Sequence, residues 1–299
     1  MANAVAVIAS IEIPRREWLE LIPNLCTNAR HENPDYRNSS LQTLGYLCDE
    51  LAPEDLIDSL KNEIVSALTS NITSVAANEK STHLAVKAFF QALPFAHQNF
   101  QKQAERDYIM KQLFEAFLVQ DEDTKFIAMQ TLVEIARQEY ESVQFYFDQL
   151  LHITSSAALS QDEKLGSQGI EFWTSLAEEE ASRRKRQLPV QDYIRRCSSQ
   201  LVKLLIACIQ RVNIEDEEDE DDELGVALSS GCCLNAVALV IGNDIMAPII
   251  EFVSQNITNQ NWKQRYSALI ALGAITEGPE KMQFMSIIMP GFQNLLQLF

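Results

Sequence analysis

The fold is decided by a short pattern that the chain repeats, Ser40-Leu41-Gln42-Thr43-Leu44-Gly45, Ala128-Met129-Gln130-Thr131-Leu132-Val133 and Ala268-Leu269-Ile270-Ala271-Leu272-Gly273. Each copy combines a small residue, apolar residues and a large apolar anchor at helical spacing. Weaker copies end at Phe89, Trp173 and Leu234. Four of the five steps between successive anchors are close to ~40 residues, which is typical of HEAT or armadillo-like helical repeats.

The rest of the sequence agrees with an all-α protein, because apolar residues recur at helical spacing throughout and only nine glycines and nine prolines occur. We predict a HEAT-repeat α-solenoid, a right-handed superhelix of antiparallel helix pairs. A single solenoid is expected over 1–299, with repeats at about 17–51, 54–94, 105–138, 142–180, 190–242 and 245–277. Half repeats are expected at 1–13 and 283–299, which indicates a piece of a longer solenoid because exposed stacking faces normally carry polar caps.

Each repeat is predicted to divide into two helices. The predicted pairs are 18–28 with 38–51, 57–72 with 82–93, 105–119 with 124–138, 142–158 with 161–179, 190–211 with 225–242, and 245–257 with 262–277. The one long step between anchors, from Trp173 to Leu234, contains two charged segments that we interpret as insertions.

The larger charged segment is an acidic run of nine consecutive carboxylates, which Leu224 follows: Glu215, Asp216, Glu217, Glu218, Asp219, Glu220, Asp221, Asp222 and Glu223. Like charges repel one another and bury no apolar face, so we expect a solvated loop that joins two helices of one hairpin. Two interpretations remain. The loop either only keeps the protein soluble or binds the cationic surface of a partner.

The smaller charged segment is the basic cluster Arg183-Arg184-Lys185-Arg186, which looks like a nuclear localisation signal. Short basic clusters are common in loops between helices, so a solvated loop is the first interpretation. A second hypothesis is that this cluster folds over the acidic run and competes with basic ligands.

Charge and composition limit the class of partner. The formal net charge is −18 and the pI is about 4.6, which argues against nucleic acid and anionic membrane surfaces and favours basic partners. No apolar run reaches the ~18 residues needed to cross a bilayer, so we expect no membrane insertion. The six cysteines form no CxxC pair, which favours reduced, buried thiols in a cytosolic or nuclear protein.

The sequence offers no catalytic constellation. The four histidines are scattered, and the chain has no HExxH motif, nucleophile elbow or glycine-rich phosphate loop. The acidic residues lack the ligand spacing of an EF-hand loop. We therefore expect neither an enzyme nor a bound metal or cofactor.

Several motifs together resemble the importin-β (karyopherin-β) family of nuclear transport receptors over essentially the whole chain, from about the third to the ninth repeat of that family. They are Ala104–Met110, Gln168–Trp173 followed by Glu178–Glu180, the acidic run, Gly231–Leu234, Asn261–Arg265 and Glu277–Glu280. The resemblance implies a nuclear import receptor that shuttles between cytoplasm and nucleus through pores in the nuclear envelope.

The resemblance also implies binding sites. Family contacts with Phe-Gly nucleoporins, made on the outer surface between first helices of neighbouring repeats, correspond to Val65, Thr69, Glu105, Tyr108, Ile109, Phe145 and Ile153. Thr69 replaces the apolar residue that the family pattern has at this position. A groove that buries one phenylalanine ring gains about 1.5–3 kcal/mol before ordering costs, so each groove should bind weakly and act through avidity.

On the inner surface, the resemblance implies that the acidic run meets the Ran GTPase and lies beside the basic segment of importin-α or cargo with basic import signals. Ran·GTP is then expected to release cargo in the intact receptor. The family loop usually ends in tryptophan, whereas Leu224 ends it here, which keeps an apolar contact but loses a cation–π contact. The alternative is a HEAT-repeat scaffold for another assembly, such as a phosphatase complex.

Overall fold

The structure, a computed structural model, describes residues 2–73, 78–212 and 225–296, and side chains as far as residue 289. Helices dominate, and no strand occurs among the described residues. Two compact units divide between Glu139 and Tyr140.

The first unit contains α1 (Ala2–Glu12), α2 (Leu21–Asn28), α3 (Pro34–Glu50), α4 (Asp58–Ile72), α5 (Glu79–Ala92), α6 (His97–Gln101), α7 (Gln103–Ala116) and α8 (Glu122–Gln138). Three antiparallel pairs form, α2 with α3, α4 with α5, and α7 with α8. Helices α2, α4 and α7 pack side by side as one layer, and α1, α3, α5 and α8 form the other. The anchors Leu44, Phe89 and Leu132 are buried between these layers.

The second unit contains α9 (Phe147–Ala158), α10 (Glu163–Lys185), α11 (Tyr193–Ile209), α12 (Val226–Ile241), α13 (Met246–Asn256), α14 (Trp262–Ala274) and α15 (Lys281–Leu296). The pairs are α9 with α10, α11 with α12, and α13 with α14, while α10, α12 and α14 pack in sequence as one layer. Trp173 and Leu234 are fully buried, whereas the last anchor, Leu272, is half-buried.

Most second helices begin at a side-chain cap. Asn33, Asn78, Asp121, Asp162 and Asn261 each accept a hydrogen bond from a backbone N–H in the first turn of the helix that follows. Such caps satisfy donors that the helix itself leaves unpaired. These residues explain why the predicted helices begin within a few residues of the observed ones. The division into repeats stays a prediction.

Two expectations from the sequence were wrong. The basic cluster at 183–186 is not a loop insertion, because α10 continues to Lys185. By length and composition alone, the segment Val226–Asn256 is also apolar enough to cross a membrane, although we expected no such run. Its residues form α12 and α13, separated by a turn at Gly242 with φ 64°, and α12 packs against α10, α11 and α14. This packing is that of a core helix pair.

Candidate protein-binding surfaces

The first candidate surface is the α4–α7 seam, the line along which α4 and α7 pack in the first unit. Asn99 in α6 ties its N-terminal end, because Asn99 Nδ2 donates to Asn62 Oδ1 of α4 at 3.1 Å and to Glu105 Oε2 of α7 at 2.8 Å. At the other end, the Thr73 hydroxyl donates to Gln112 Oε1. Polar side chains therefore hold the two helices together at both ends of the seam.

The residues predicted to form the floor of a nucleoporin groove lie along this seam, and they are closed off from solvent. Val65, Thr69 and Ile109 are exposed by only 2%, 1% and 2%. The Thr69 hydroxyl donates to the Val65 carbonyl at 2.7 Å, so its polar atom is satisfied within α4. A phenyl ring buries on the order of 150–250 Å². These three side chains do not offer that area in the described arrangement.

Two predicted residues of the same seam are accessible. The Tyr108 ring is 43% exposed. Glu105 is half-buried, and besides Asn99 it pairs with Lys102 at 3.0 Å between Nζ and Oε1. An exposed aromatic ring beside a carboxylate rim is a suitable entrance for an aromatic ligand with a polar backbone.

The remaining two predicted nucleoporin contacts belong to the second unit. Phe145 ends the 3-10 turn Tyr140–Phe145 and is 58% exposed, with its ring 6.5 Å from that of Tyr146. Ile153 is half-buried on α9. Phe145 is thus available to a ligand, and Ile153 only in part.

The acidic run, Glu215 to Glu223, and Leu224 lie outside the described residues. Both flanks, however, are held by Glu163 at the start of α10. Glu163 Oε2 accepts a hydrogen bond from the Val226 N–H at 2.9 Å, which supplies the cap that Gly225 lacks. Glu163 Oε1 lies 3.7 Å from Arg211 Nη2. In the sequence the run stands between α11 and α12, which pack against each other as a pair.

The basic cluster forms ion pairs within its own unit. Arg183 lies 2.6 Å from Glu141 and 2.8 Å from Glu179, and its guanidinium covers the Tyr140 ring at 3.9 Å. Arg184 pairs with Asp192 and Arg186 with Glu179. These cations stabilise the C-terminal end of α10, where positive charge is also favoured by the helix dipole. Competition with the acidic run, which lies outside the described residues, stays a hypothesis.

A buried carboxylate organises the start of α11. Glu180 is fully buried and accepts the Tyr193 N–H at 2.5 Å, while Tyr140 Oη donates to it at 3.4 Å. Burial raises the pKa of Glu180 above its ordinary value, and the backbone hydrogen bond and Arg184 oppose this shift only in part. The motif Glu178–Glu180 therefore contains a structural carboxylate that charge patterning alone did not identify.

Sequence reasoning also missed a groove between α10, α12 and α14. The groove encloses about 640 Å³ and includes Glu178, Cys232, Asn235 and Ile270 in its lining. Gly273 contributes to the open space, because a Cβ at this position would meet no atom within 4 Å. The signal available in the sequence was the set of small residues at Ala181, Gly231 and Gly273.

The histidines and the cysteines are the remaining candidate ligands and nucleophiles, and five of the six cysteines are buried. No group of three His, Cys, Asp or Glu side chains that could hold a metal ion occurs among the described residues. His83 and His97 instead contact Asp121 and Glu139. All six cysteines are free, and burial raises the pKa of Cys197 and Cys233 to about 12, so these thiols stay protonated.

Comparisons with known proteins give a consistent result. No family model matches the chain. The chain is 31% identical over 299 residues to importin subunit beta-1 of Arabidopsis thaliana, a match that covers 96% of this chain. It is 32% identical over 308 residues to importin subunit beta-1 of Saccharomyces cerevisiae, which covers 99% of this chain. The chain spans about a third of the length of these relatives, 34% and 35% respectively.

Solved structures agree with the sequence matches and confirm the predicted all-α HEAT-repeat fold class. Kap95p in a structure with RanGDP matches at a TM-score of 0.90 and 30% identity, over 99% of this chain and 35% of that chain. The Kap95:Nup1 complex matches at a TM-score of 0.89 and 31% identity, with the same coverage of 99% and 35%. Because sequence and backbone agree over nearly the whole chain, this chain belongs to the importin-β family.

Proposed function

We propose that this chain is part of a nuclear import receptor that binds Phe-Gly nucleoporins through the α4–α7 seam and through Phe145. Proteins of this family are transport receptors rather than enzymes. The observation that carries the proposal is that 99% of this chain matches a part of Kap95p, 35% of its length, and Kap95p has been solved in a complex with Nup1. The exposed ring of Tyr108 beside Glu105 supplies a suitable surface for a phenylalanine side chain.

The proposal has a second part, which concerns basic partners. The acidic run and the groove between α10, α12 and α14 are proposed to bind Ran, the basic segment of importin-α or cargo with basic import signals. The match to Kap95p in a structure with RanGDP supports this part. The exposed carboxylate of Glu178 beside an apolar groove suits a ligand that carries both cations and apolar side chains. Such charges accelerate encounter and are screened by salt.

These two activities imply where the protein works. A receptor that binds nucleoporins and import cargo would pass between cytoplasm and nucleus and be found at pores of the nuclear envelope. Ran·GTP would release cargo from the intact receptor.

The nucleoporin part is tested by titrating the chain with a multivalent Phe-Gly repeat peptide. We expect weak, saturable binding that Tyr108→Asp weakens about tenfold, because a ring contact of about 1.5–3 kcal/mol is replaced by a charge. Tyr36→Asp is the matched control, since Tyr36 is also a tyrosine of the first unit and is 59% exposed.

The control should bind the peptide as the wild type does, and both variants should keep the helical circular dichroism signal. If the folded wild type does not bind, the nucleoporin proposal is wrong. Equal loss in Tyr108→Asp and Tyr36→Asp would mean that the seam is not the binding site.

A further inference from the structure

We infer that Asn99 is a positioning residue that holds the α4–α7 seam closed, and that the seam must separate at Asn99 before an aromatic side chain can reach Val65 and Ile109. This inference rests on the proposed nucleoporin binding. Its starting point is the contrast within the seam between a buried floor and an exposed rim. Val65 and Ile109 are each 2% exposed, whereas Tyr108 is 43% exposed.

Asn99 is in a position to control this separation. It lies in α6, the five-residue helix His97–Gln101, and it is itself only 5% exposed. Its Nδ2 reaches both helices, Asn62 of α4 and Glu105 of α7. Since both partner atoms are acceptors, the amide orientation is fixed, with nitrogen facing the seam. Helix α6 is in turn attached to α7, because Arg106 Nη1 donates to the Phe100 carbonyl at 3.0 Å.

The two hydrogen bonds that Asn99 Nδ2 donates to Asn62 and Glu105 form a tether between α4 and α7. The other polar atom of the Asn99 side chain has no such partner. Asn99 Oδ1 is buried and accepts no hydrogen bond from the described residues. A buried acceptor without a donor raises the free energy of the closed arrangement, because water is lost and nothing replaces it. When α4 and α7 separate, this oxygen can accept from water or from a backbone N–H of the incoming peptide. The two donated bonds favour the closed seam, and the unpaired oxygen favours its opening.

This balance predicts an unusual response to mutation. If only the separated seam binds the ring, the apparent Kd is the intrinsic Kd divided by the fraction of molecules that are separated. Removal of the tether raises that fraction. Asn99→Ala should therefore bind the Phe-Gly peptide about threefold to tenfold more tightly than the wild type, since two hydrogen bonds no longer oppose separation. Asn62→Ala removes one of the two bonds and should shift the Kd in the same direction by less.

A second measurement needs no peptide. In a Cys232→Ser background, which removes the exposed thiol, Val65→Cys places a reporter on the seam floor. Its labelling rate with a thiol reagent measures how often the seam separates. Adding Asn99→Ala should accelerate labelling about threefold to tenfold. Asn78→Ala is the matched control, because it removes a cap of α5 without removing either bond of the tether, and it should leave the labelling rate and the peptide Kd unchanged.

The outcomes separate the two proposals. Faster labelling with tighter peptide binding supports both. Faster labelling with no peptide binding in any variant supports the role of Asn99 and overturns the nucleoporin proposal. Peptide binding that Asn99→Ala weakens or leaves unchanged overturns the role of Asn99, because Asn99 would then contact the peptide or not limit access. An unchanged labelling rate overturns it as well.

Discussion

First helices pack against each other by different chemistry in the two units. In the α4–α7 seam, amide and hydroxyl side chains tie the ends and an aliphatic floor lies between them. In the second unit, rings join the N-terminal ends of α9 and α11. Phe147 stacks on Tyr193 with centroids 5.6 Å apart and an interplanar angle of 19°, and the Arg196 guanidinium lies 4.5 Å above the Phe147 ring.

The difference has a physical consequence for ligand entry. Polar ties can be exchanged for water at a small net cost of about 0.5–1.5 kcal/mol each. Separating stacked rings instead exposes a large apolar area at about 25 cal/mol per Å². Neighbouring first helices can thus form either an adjustable seam or a fixed one, and we assign the α4–α7 seam to the adjustable kind.

The largest effect is expected from a substitution that removes the ring stack between α9 and α11. Phe147→Ala removes a buried ring that also makes an edge contact with Trp173 at 6.2 Å. We expect the free energy of unfolding of the second unit to fall by about 3–5 kcal/mol, as for other buried phenylalanines. Denaturant unfolding followed by tryptophan fluorescence measures it, since Trp173 reports on this core. A loss below ~1 kcal/mol would mean that the ring stack does not fix α9 against α11.

An effect of intermediate size is expected in the pH dependence of the free energy of unfolding. It arises from Glu180, which accepts the Tyr193 N–H at the N-terminus of α11, beside this ring stack. Burial raises the folded pKa of Glu180 above its ordinary value of 4.5. Between these two pKa values the folded state binds more protons than the unfolded state, so this group's stabilising contribution is lost as pH rises through the folded pKa. The carboxylate at the α4–α7 seam, Glu105, is half-buried, whereas Glu180 is fully buried.

Glu180→Gln stays neutral at every pH and keeps an acceptor for the Tyr193 N–H. We therefore expect the stability of this variant, relative to the wild type, to increase as pH rises from 4 to 7. Urea unfolding at several pH values measures the trend. A pH-independent difference would show that Glu180 titrates at the same pKa in the folded and unfolded states.

The sequence predicted the helices well because two local signals agree, apolar residues at helical spacing and Asn or Asp caps such as Asn33 and Asp162. From the sequence we assigned the basic cluster to a loop, because short runs of cations are common in loops, whereas α10 continues to Lys185. The i,i+4 spacing of Glu179 and Arg183 was visible in the sequence as a helix signal, and the structure shows that this pair forms an ion contact in the last turns of α10.

The binding surfaces were less predictable. The resemblance to the importin-β family implied that Val65 and Ile109 lie between neighbouring first helices, but a resemblance carries no information on how closely two helices approach here, so the burial of these side chains was not foreseen. Asn99 had no distinguishing motif, because its partners lie in helices that only the fold brings together. The groove lined by Glu178 and Cys232 was missed for the same reason.

The smallest expected effect concerns the other end of the α4–α7 seam. Gln112→Leu removes the acceptor for the Thr73 hydroxyl and leaves an apolar side chain of similar size at a buried position. Because Thr73 is exposed, its hydroxyl can bond to water instead, so we expect the free energy of unfolding to change by at most ~1 kcal/mol. The same denaturant titration measures this change. If Gln112→Leu cost as much as Phe147→Ala, the seam would be as fixed as the ring stack, and separation of α4 from α7 could not be the route by which a ligand reaches Val65.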